Sequence, residues 1–190
     1  MKKPYVMGIA GCTQSGKSTF TNELQNILQG VRYKTFAIDN YHRPMEERPL
    51  VKAPMTGIEY PDSNLPISFD IPKLRMELKN EIMKNEVELI IVEGTMILYD
   101  EEILRNLDLK IYVETRADER SVRYIEKYSQ WYGYDFIRNS YLDLARYRMD
   151  EYVEHTKWRA DLLLNGSMKS EHAVEMIKLY LLNKIASLRT

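Results

Sequence analysis

The chain of 190 residues contains a single cysteine, Cys12, which excludes an intrachain disulfide and any multi-cysteine zinc site. Its three histidines, His42, His155 and His172, lie too far apart in sequence to form a local metal motif. No stretch approaches the ~20 consecutive apolar residues of a membrane helix. Neither sign of charge is in excess: 27 Lys plus Arg face 28 Asp plus Glu, for a net charge of -1. That balance argues against bulk binding to nucleic acid or to an acidic membrane surface. There is no internal repeat and no low-complexity tract. The opening MKKPYVMGIAGC faintly resembles a lipoprotein signal, but its apolar run from Tyr5 to Ala10 falls short of the ~7–15 residues of a signal core. The expectation is a soluble, cytoplasmic protein without membrane or nucleic-acid partners.

What is present is an ordinary folded composition, 44% hydrophobic and 29% charged, with 14 tyrosines placed mostly in the second half. At ~100–200 residues per domain, the length predicts one domain over residues 1–190. Val6 to Ala10 reads as a short buried strand. After it, Phe20, Leu24, Ile27 and Leu28 recur at helical spacing until Gly30 supplies a stop. Tyr33 to Ile38 reads as a second strand. A polar, proline-bearing stretch follows from Asn40 to Pro66, and a long irregular segment in a compact domain is usually functional or disordered. A helix start is expected at Ser68, with Leu74, Leu78 and Ile82 as its apolar stripe. Val87 to Val92 has the composition of a central parallel strand. Further strands are expected at Asp108–Val113 and Asp161–Leu164. Helices are expected at Asp118–Gln130, Tyr141–His155 and Ser170–Leu188, with Trp158 packing against the last strand. This alternation predicts a three-layer α/β fold with a parallel sheet of about five strands and helices on both faces.

The most specific local signal is Gly11-Cys12-Thr13-Gln14-Ser15-Gly16-Lys17-Ser18, which fits the phosphate-loop pattern at every fixed position. Gly11 and Gly16 let the backbone wrap closely, so successive N–H groups point inward at phosphate oxygens. The following helix begins near Gly16 and turns its positive end to the same anion. Lys17 is expected to reach the β- and γ-phosphates and the Ser18 hydroxyl to ligate Mg²⁺. The expected nucleotide contacts are Gly11, Thr13, Gln14, Ser15, Gly16, Lys17, Ser18 and Thr19. Cys12 reads as a small loop filler. Chance alone would not also set this octet between a buried strand and an amphipathic helix. The fold is therefore expected to be that of a P-loop NTPase.

Ligands of open α/β sheets sit beyond the carboxyl ends of the strands. Asp39, after FAI, and Glu93, after IIV, occupy such ends. Asp39 is the candidate general base for an incoming hydroxyl and a candidate Mg²⁺ ligand through water; Glu93 is the candidate second carboxylate near the metal. Acidic residues in such positions also serve as caps and turn formers. Arg120 and Arg123 share a helix face. Converging guanidinium groups suit a transferring phosphoryl group, although these two also have Asp118, Glu119 and Glu126 within reach as surface partners.

Taken in order, GCTQSGKST, AIDNYHRP, SNLPISFDIPKL, IIVEG, IYVETRADERSVRYIEKY and YLDLARYRMDEYVEHTKWRADLLLNG resemble the uridine kinase and phosphoribulokinase-like group, including nicotinamide riboside kinases. The resemblance implies a kinase moving the γ-phosphate of ATP, with Mg²⁺, to a hydroxyl of a nucleoside or similar riboside. It implies that Asp39 takes the acceptor's proton and Glu93 stands near Mg²⁺. A helical lid over about 116–140 would bring Arg120 and Arg123 as catalytic groups beside Lys17. A loop over about 40–68 would bind the acceptor through Tyr41, His42, Asp62 and Asn64.

The chain departs from the family pattern in three places. Asn64 stands where the acceptor-ribose element usually has Asp, with Asp62 nearby as a substitute. His42 stands where uridine kinases often have Tyr. Tyr132-Gly133-Tyr134-Asp135 replaces Arg-Gly-Arg-Asp, which removes two charges, leaving Arg138 or Lys127 to compensate. Two alternatives remain open at this point. One is a nucleotide-dependent switch or motor ATPase, against which stands the lack of an Asn-Lys-x-Asp or Leu-Ser-Gly-Gly-Gln motif. The other is a kinase relative that binds nucleotide without turnover.

Overall fold

The computed structural model describes residues 3–168 and 171–189; the expected helix start at Ser170 lies outside them. The α and β elements follow in the order β1 (Tyr5–Ala10), α1 (Lys17–Ile27), β2 (Tyr33–Ala37), β3 (Leu50–Lys52), β4 (Glu59–Pro61), α2 (Ile71–Lys84), β5 (Leu89–Gly94), α3 (Glu101–Leu104), β6 (Leu109–Glu114), α4 (Ala117–Tyr132), α5 (Tyr134–Ser140), α6 (Arg146–Arg148), β7 (Leu162–Asn165) and α7 (Glu171–Arg189). Five strands form a parallel sheet in the order β2-β5-β1-β6-β7, as the alternation of strands and helices predicts.

The central strands read as unbroken apolar runs because both faces of the sheet are covered. Alternate residues point to opposite sides. Val6, Ile90, Val92 and Tyr112 meet Leu74 and Leu78 of α2 and Ile103 of α3. Met7, Ile9, Ile91 and Ile111 meet Phe20 and Leu24 of α1 and Val174, Ile177, Leu181 and Ile185 of α7. Each such aliphatic side chain, fully buried, contributes about 1.5–3 kcal/mol. The sheet is therefore the rigid platform that carries the strand-end residues.

Several boundaries differ from the sequence expectation. Helix α2 starts later than Ser68: Asp70 is its cap, accepting from the Lys73 N–H at 3.1 Å, with proline in the first turn. The stretch expected to be irregular is built from tight 3₁₀ turns at Ile38–Tyr41 and Met45–Glu47 and an antiparallel β3–β4 pair. Strands of three residues are too short to declare themselves by periodicity. The segment Tyr141–Val153 is wound partly as π-helix on either side of α6, and its successive residues Asp143, Leu144 and Ala145 are all buried. Trp158 does not pack on the last strand; it is 78% exposed, with the Lys157 ammonium near its ring.

Asp62 anchors the β3–β4 region. Its carboxylate is fully buried, takes the Arg148 guanidinium at 2.8 Å and accepts the Asn64 N–H at 2.8 Å. Removing the Asp62 carboxylate leaves the part-exposed Arg148 with Glu151 as its remaining partner, at 2.6 Å, and strips the Asn64 N–H of its acceptor; a hydrogen bond to a charged group is worth about 1.5–3 kcal/mol. Asp62→Ala is accordingly expected to destabilise the fold by about 2 kcal/mol in urea unfolding. A loss below about 1 kcal/mol, the size of a surface ion pair, would contradict this anchoring.

Candidate active site

The loop between β1 and α1 closes the carboxyl end of the sheet. Gly11 has φ of 147°, and a side-chain carbon there would collide with the Val113 carbonyl; only glycine fits. Gly16, with φ of 98°, occupies the cap position of α1 without a side-chain cap. The first-turn N–H groups of α1 are unpaired by helix geometry and line the concavity. The Lys17 ammonium donates to the Cys12 carbonyl at 2.8 Å. Burial lowers the Lys17 pKa, and the charges of Asp39 and Glu93 oppose that shift. A polyanionic tail in the loop would hold it protonated in the same way.

The loop is braced from outside. Thr115 Oγ1 donates to the Ser15 carbonyl at 2.8 Å. Arg123 Nη1 donates to the carbonyls of Gln14 (3.3 Å) and Gly166 (3.1 Å). A side chain at Gly166 would strike the Ser15 carbonyl and the Thr115 hydroxyl, so the turn after β7 seats directly on the loop. Beneath it, the Cys12 thiol is fully buried and donates to Glu154 at 3.1 Å, 3.4 Å from the Tyr112 hydroxyl. Burial pushes the thiol up to about 11, which agrees with an unreactive filler.

Asp39 and Glu93 reach the site from neighbouring strands. Ala37 of β2 is in register with Glu93 of β5. The following Ile38 packs directly on Gly94, where any side chain would collide with it. That close contact holds the 3₁₀ turn bearing Asp39 against the end of β5. Glu93 accepts from Ser18 Oγ at 3.1 Å and from Thr21 Oγ1 at 3.0 Å. Among the described residues no cluster of three or more His, Cys, Asp or Glu forms a metal cage. The donor set does fit Mg²⁺, which keeps several waters and usually takes one or two carboxylates plus substrate phosphates. Ser18, Asp39 and Glu93 all line one cavity.

Two cavities meet here. The first, of about 410 Å³, runs from the phosphate loop past Arg123 and Lys127 to Asn165, Gly166 and Val174. The second, of about 500 Å³, is lined by His42, Tyr60 and Phe69 together with Tyr124, Tyr128, Tyr132 and Phe136, the Tyr60 and Phe136 rings meeting edge-on at 5.7 Å. Asp39, Thr13, Thr95 and Tyr128 line both. Asp39 is exposed at this junction.

The other residues singled out in the sequence fall into distinct places. Thr13, Gln14, Gly16, Lys17, Ser18 and Thr19 line the first cavity, whereas Gly11 and Ser15 lie behind the loop surface. His42 and Asn64 line the second. Tyr41 turns into the core and donates to Glu77 at 2.5 Å; it lines neither cavity. Asp62 is spent on Arg148 and does not replace the Asp missing at Asn64. Arg120, 6% exposed, is paired with Glu154 at 3.3 Å, so it is an internal strut here rather than a lid group facing the cavity. Arg138 pairs with Asp135 and Asn139 and lines neither cavity, while Lys127 is exposed on the first. Unanticipated are Thr95, Arg48 and the aromatics of α4 and α5. The spacing of Tyr124, Tyr128 and Tyr132 along α4, one helical turn apart, was a readable signal for three of these aromatics; Phe136 follows the Gly133 break, in α5.

A phosphate loop at the carboxyl end of a parallel sheet, facing strand-end carboxylates and a second cavity, defines a P-loop phosphotransferase. The chain belongs to the phosphoribulokinase / uridine kinase family, whose model matches residues 61–171. It is 27% identical to a uridine kinase of Lactobacillus helveticus over 93% of each chain. It is 30% identical to a uridine kinase of Clostridium tetani, again over 93% of each. Its fold matches the structure of a possible uridine kinase from Bacillus stearothermophilus with a TM-score of 0.59 at 18% identity, covering 87% of this chain and 90% of that one. Family membership makes the chain an ATP-dependent phosphotransferase and disfavours the switch or motor alternative. No helix among the described residues is long and apolar enough to cross a membrane.

Proposed function

We propose that the protein is a cytoplasmic nucleoside kinase, transferring the γ-phosphate of ATP to the primary hydroxyl of a pyrimidine riboside such as uridine. The observation that carries this reading is Asp39 standing where the triphosphate cavity opens into a second, aromatic-lined one. A sugar phosphate would call for several cations around its anionic end. Among the described residues the second cavity offers Arg48 alone of the Lys and Arg side chains, and burial together with the Arg48 charge lowers the His42 pKa. Flat rings suit an aromatic wall.

In this reading Asp39 accepts the proton of the acceptor hydroxyl as its oxygen attacks the γ-phosphorus. The bond to the β-phosphate oxygen breaks, and ADP leaves. Lys17 and the loop N–H groups hold the β- and γ-phosphates in line, so the protein acts by positioning and by stabilising charge. Ser18 and Glu93, with Asp39 through water, would hold Mg²⁺, which supplies charge neutralisation at the phosphates. The segment from about 116 to 140 acts as the lid, closing to exclude water.

Of the lid cations, Arg123 is committed to loop carbonyls and Arg120 to Glu154. Lys127 therefore supplies the charge lost at Tyr132 and Tyr134. Lys127→Ala is expected to lower kcat by about 10-fold, below the 10²–10³ of a buried preorganised donor, because its side chain is exposed. An unchanged kcat would remove it from this role. The reading as a whole is tested by ADP release with Mg-ATP in the presence and absence of uridine. Release that depends on uridine, with a phosphorylated product, is expected; acceptor-independent release or none would overturn it.

A further inference from the structure

The phosphate loop can turn its donors to the cavity only where its carbonyls face the other way. A peptide unit is planar and trans, so its C=O and N–H point in opposite directions. In the unit that joins Ser15 to Gly16, the carbonyl accepts from Thr115 Oγ1 at 2.8 Å and from no other described residue. The N–H on its far side belongs to Gly16, which lines the first cavity and donates to none of the described residues. One unit earlier the arrangement differs. Arg123 holds the Gln14 carbonyl at 3.3 Å, but the Ser15 N–H opposite it is spent on the Cys12 carbonyl at 3.2 Å. The Thr115 bond is the one that backs a free inward donor.

Water has little access to this bond. Ser15 is fully buried and Thr115 is 6% exposed. Gly166 closes over both: a side-chain carbon there would strike the Ser15 carbonyl and the Thr115 hydroxyl. Its own N–H donates to the Glu114 carbonyl at 2.7 Å, which continues the β6–β7 pairing past its last residue. Thr115 itself lies outside the first cavity, at the joint between β6 and Arg116, the cap residue of α4. A carbonyl buried there without its donor goes unsatisfied or turns over, and either change disturbs the N–H behind it.

We propose that Thr115 is a positioning residue for phosphoryl transfer: its hydroxyl holds the Ser15 carbonyl outward and so aims the Gly16 N–H at the triphosphate. The assignment rests on the kinase reading above only so far as a triphosphate occupies the loop. A backbone donor aimed in advance needs no reorganisation when charge shifts among the phosphates. A single such bond is worth about 10-fold in affinity.

The test compares wild-type protein with three variants. Thr115→Val keeps the shape and removes the donor, Thr115→Ala removes the donor without adding volume, and Thr115→Ser keeps it. Calorimetric binding of Mg-ATP is read beside ¹⁵N-glycine spectra, in which Gly16 is one of only eight glycines. Thr115→Val and Thr115→Ala are expected to bind Mg-ATP about 10-fold more weakly, with Thr115→Ser within about 3-fold of wild type. In wild type and Thr115→Ser, Mg-ATP should move the Gly16 amide proton downfield as it meets a phosphate oxygen. At saturating Mg-ATP that displacement should shrink in the two variants without the donor, a change that a merely structural role would not produce. Wild-type affinity in Thr115→Val and Thr115→Ala overturns the role of Thr115. So does an equal loss in Thr115→Ser, or a Gly16 displacement at saturation that no variant alters. Because Mg-ATP binding is read without an acceptor, these outcomes hold whether or not a nucleoside is the acceptor; failure of wild-type protein to bind Mg-ATP overturns the phosphate-loop assignment and this role together.

Discussion

Asp39→Asn is expected to lower turnover by at least about 100-fold while leaving ATP binding nearly intact, the range set by loss of a positioned general base. Asparagine keeps the size and the hydrogen-bonding reach of the side chain but cannot take a proton at neutral pH. Asp39 lies just beyond the end of β2, exposed at the junction of the two cavities, and its carboxylate holds none of the other described residues through a hydrogen bond. The substitution should therefore spare the fold. The contrast between kcat and nucleotide affinity is the informative readout. Full activity in the variant would remove Asp39 from its role, and equal losses in ATP binding and rate would mark it as a nucleotide-positioning group instead.

Lys17→Ala is expected to behave differently, weakening ATP binding and lowering turnover together, the latter by about 10²–10³-fold. The Lys17 ammonium is held by the Cys12 carbonyl and lies in the field of Asp39 and Glu93, so it is poised over the loop. Its bonds to the phosphates serve the ground state and the transition state alike, which is why both quantities should fall. Equilibrium binding of a fluorescent ATP analogue and steady-state kinetics separate the two. Unchanged affinity and turnover would contradict the assignment of residues 11–18 as the triphosphate site.

The loop was legible in the sequence because its fixed positions are contiguous, and each answers a local demand: glycine where a side chain would collide with Val113, lysine and serine at the helix start. Asp39 and Glu93 were legible for a related reason, since carboxylates that follow apolar strands must emerge at the ligand-bearing edge of the sheet. What sequence could not disclose was whether a charge was free or already committed. Asp62 finds Arg148 86 positions away, and Arg120 finds Glu154 34 positions away. Arg123 reaches the carbonyl of Gln14 across 109 positions. Each of these three reads as a candidate ligand until the partner is seen. The replacement of the family's Arg-Gly-Arg-Asp by Tyr132-Gly133-Tyr134-Asp135 was visible in the sequence. Its consequence, a cavity that Tyr132 shares with His42 and Phe69, emerges only once the α4–α5 segment meets the β3–β4 hairpin through Phe136 and Tyr60.

The most direct measurement is a crystal structure with a non-hydrolysable ATP analogue, Mg²⁺ and uridine bound together. The account predicts the analogue's phosphate tail wrapped by residues 11–18 and the nucleoside in the aromatic-lined second cavity. The primary hydroxyl should lie within about 2.6–3.2 Å of the Asp39 carboxylate. A tail bound elsewhere, or a hydroxyl that faces away from Asp39 with the tail in place, would contradict it.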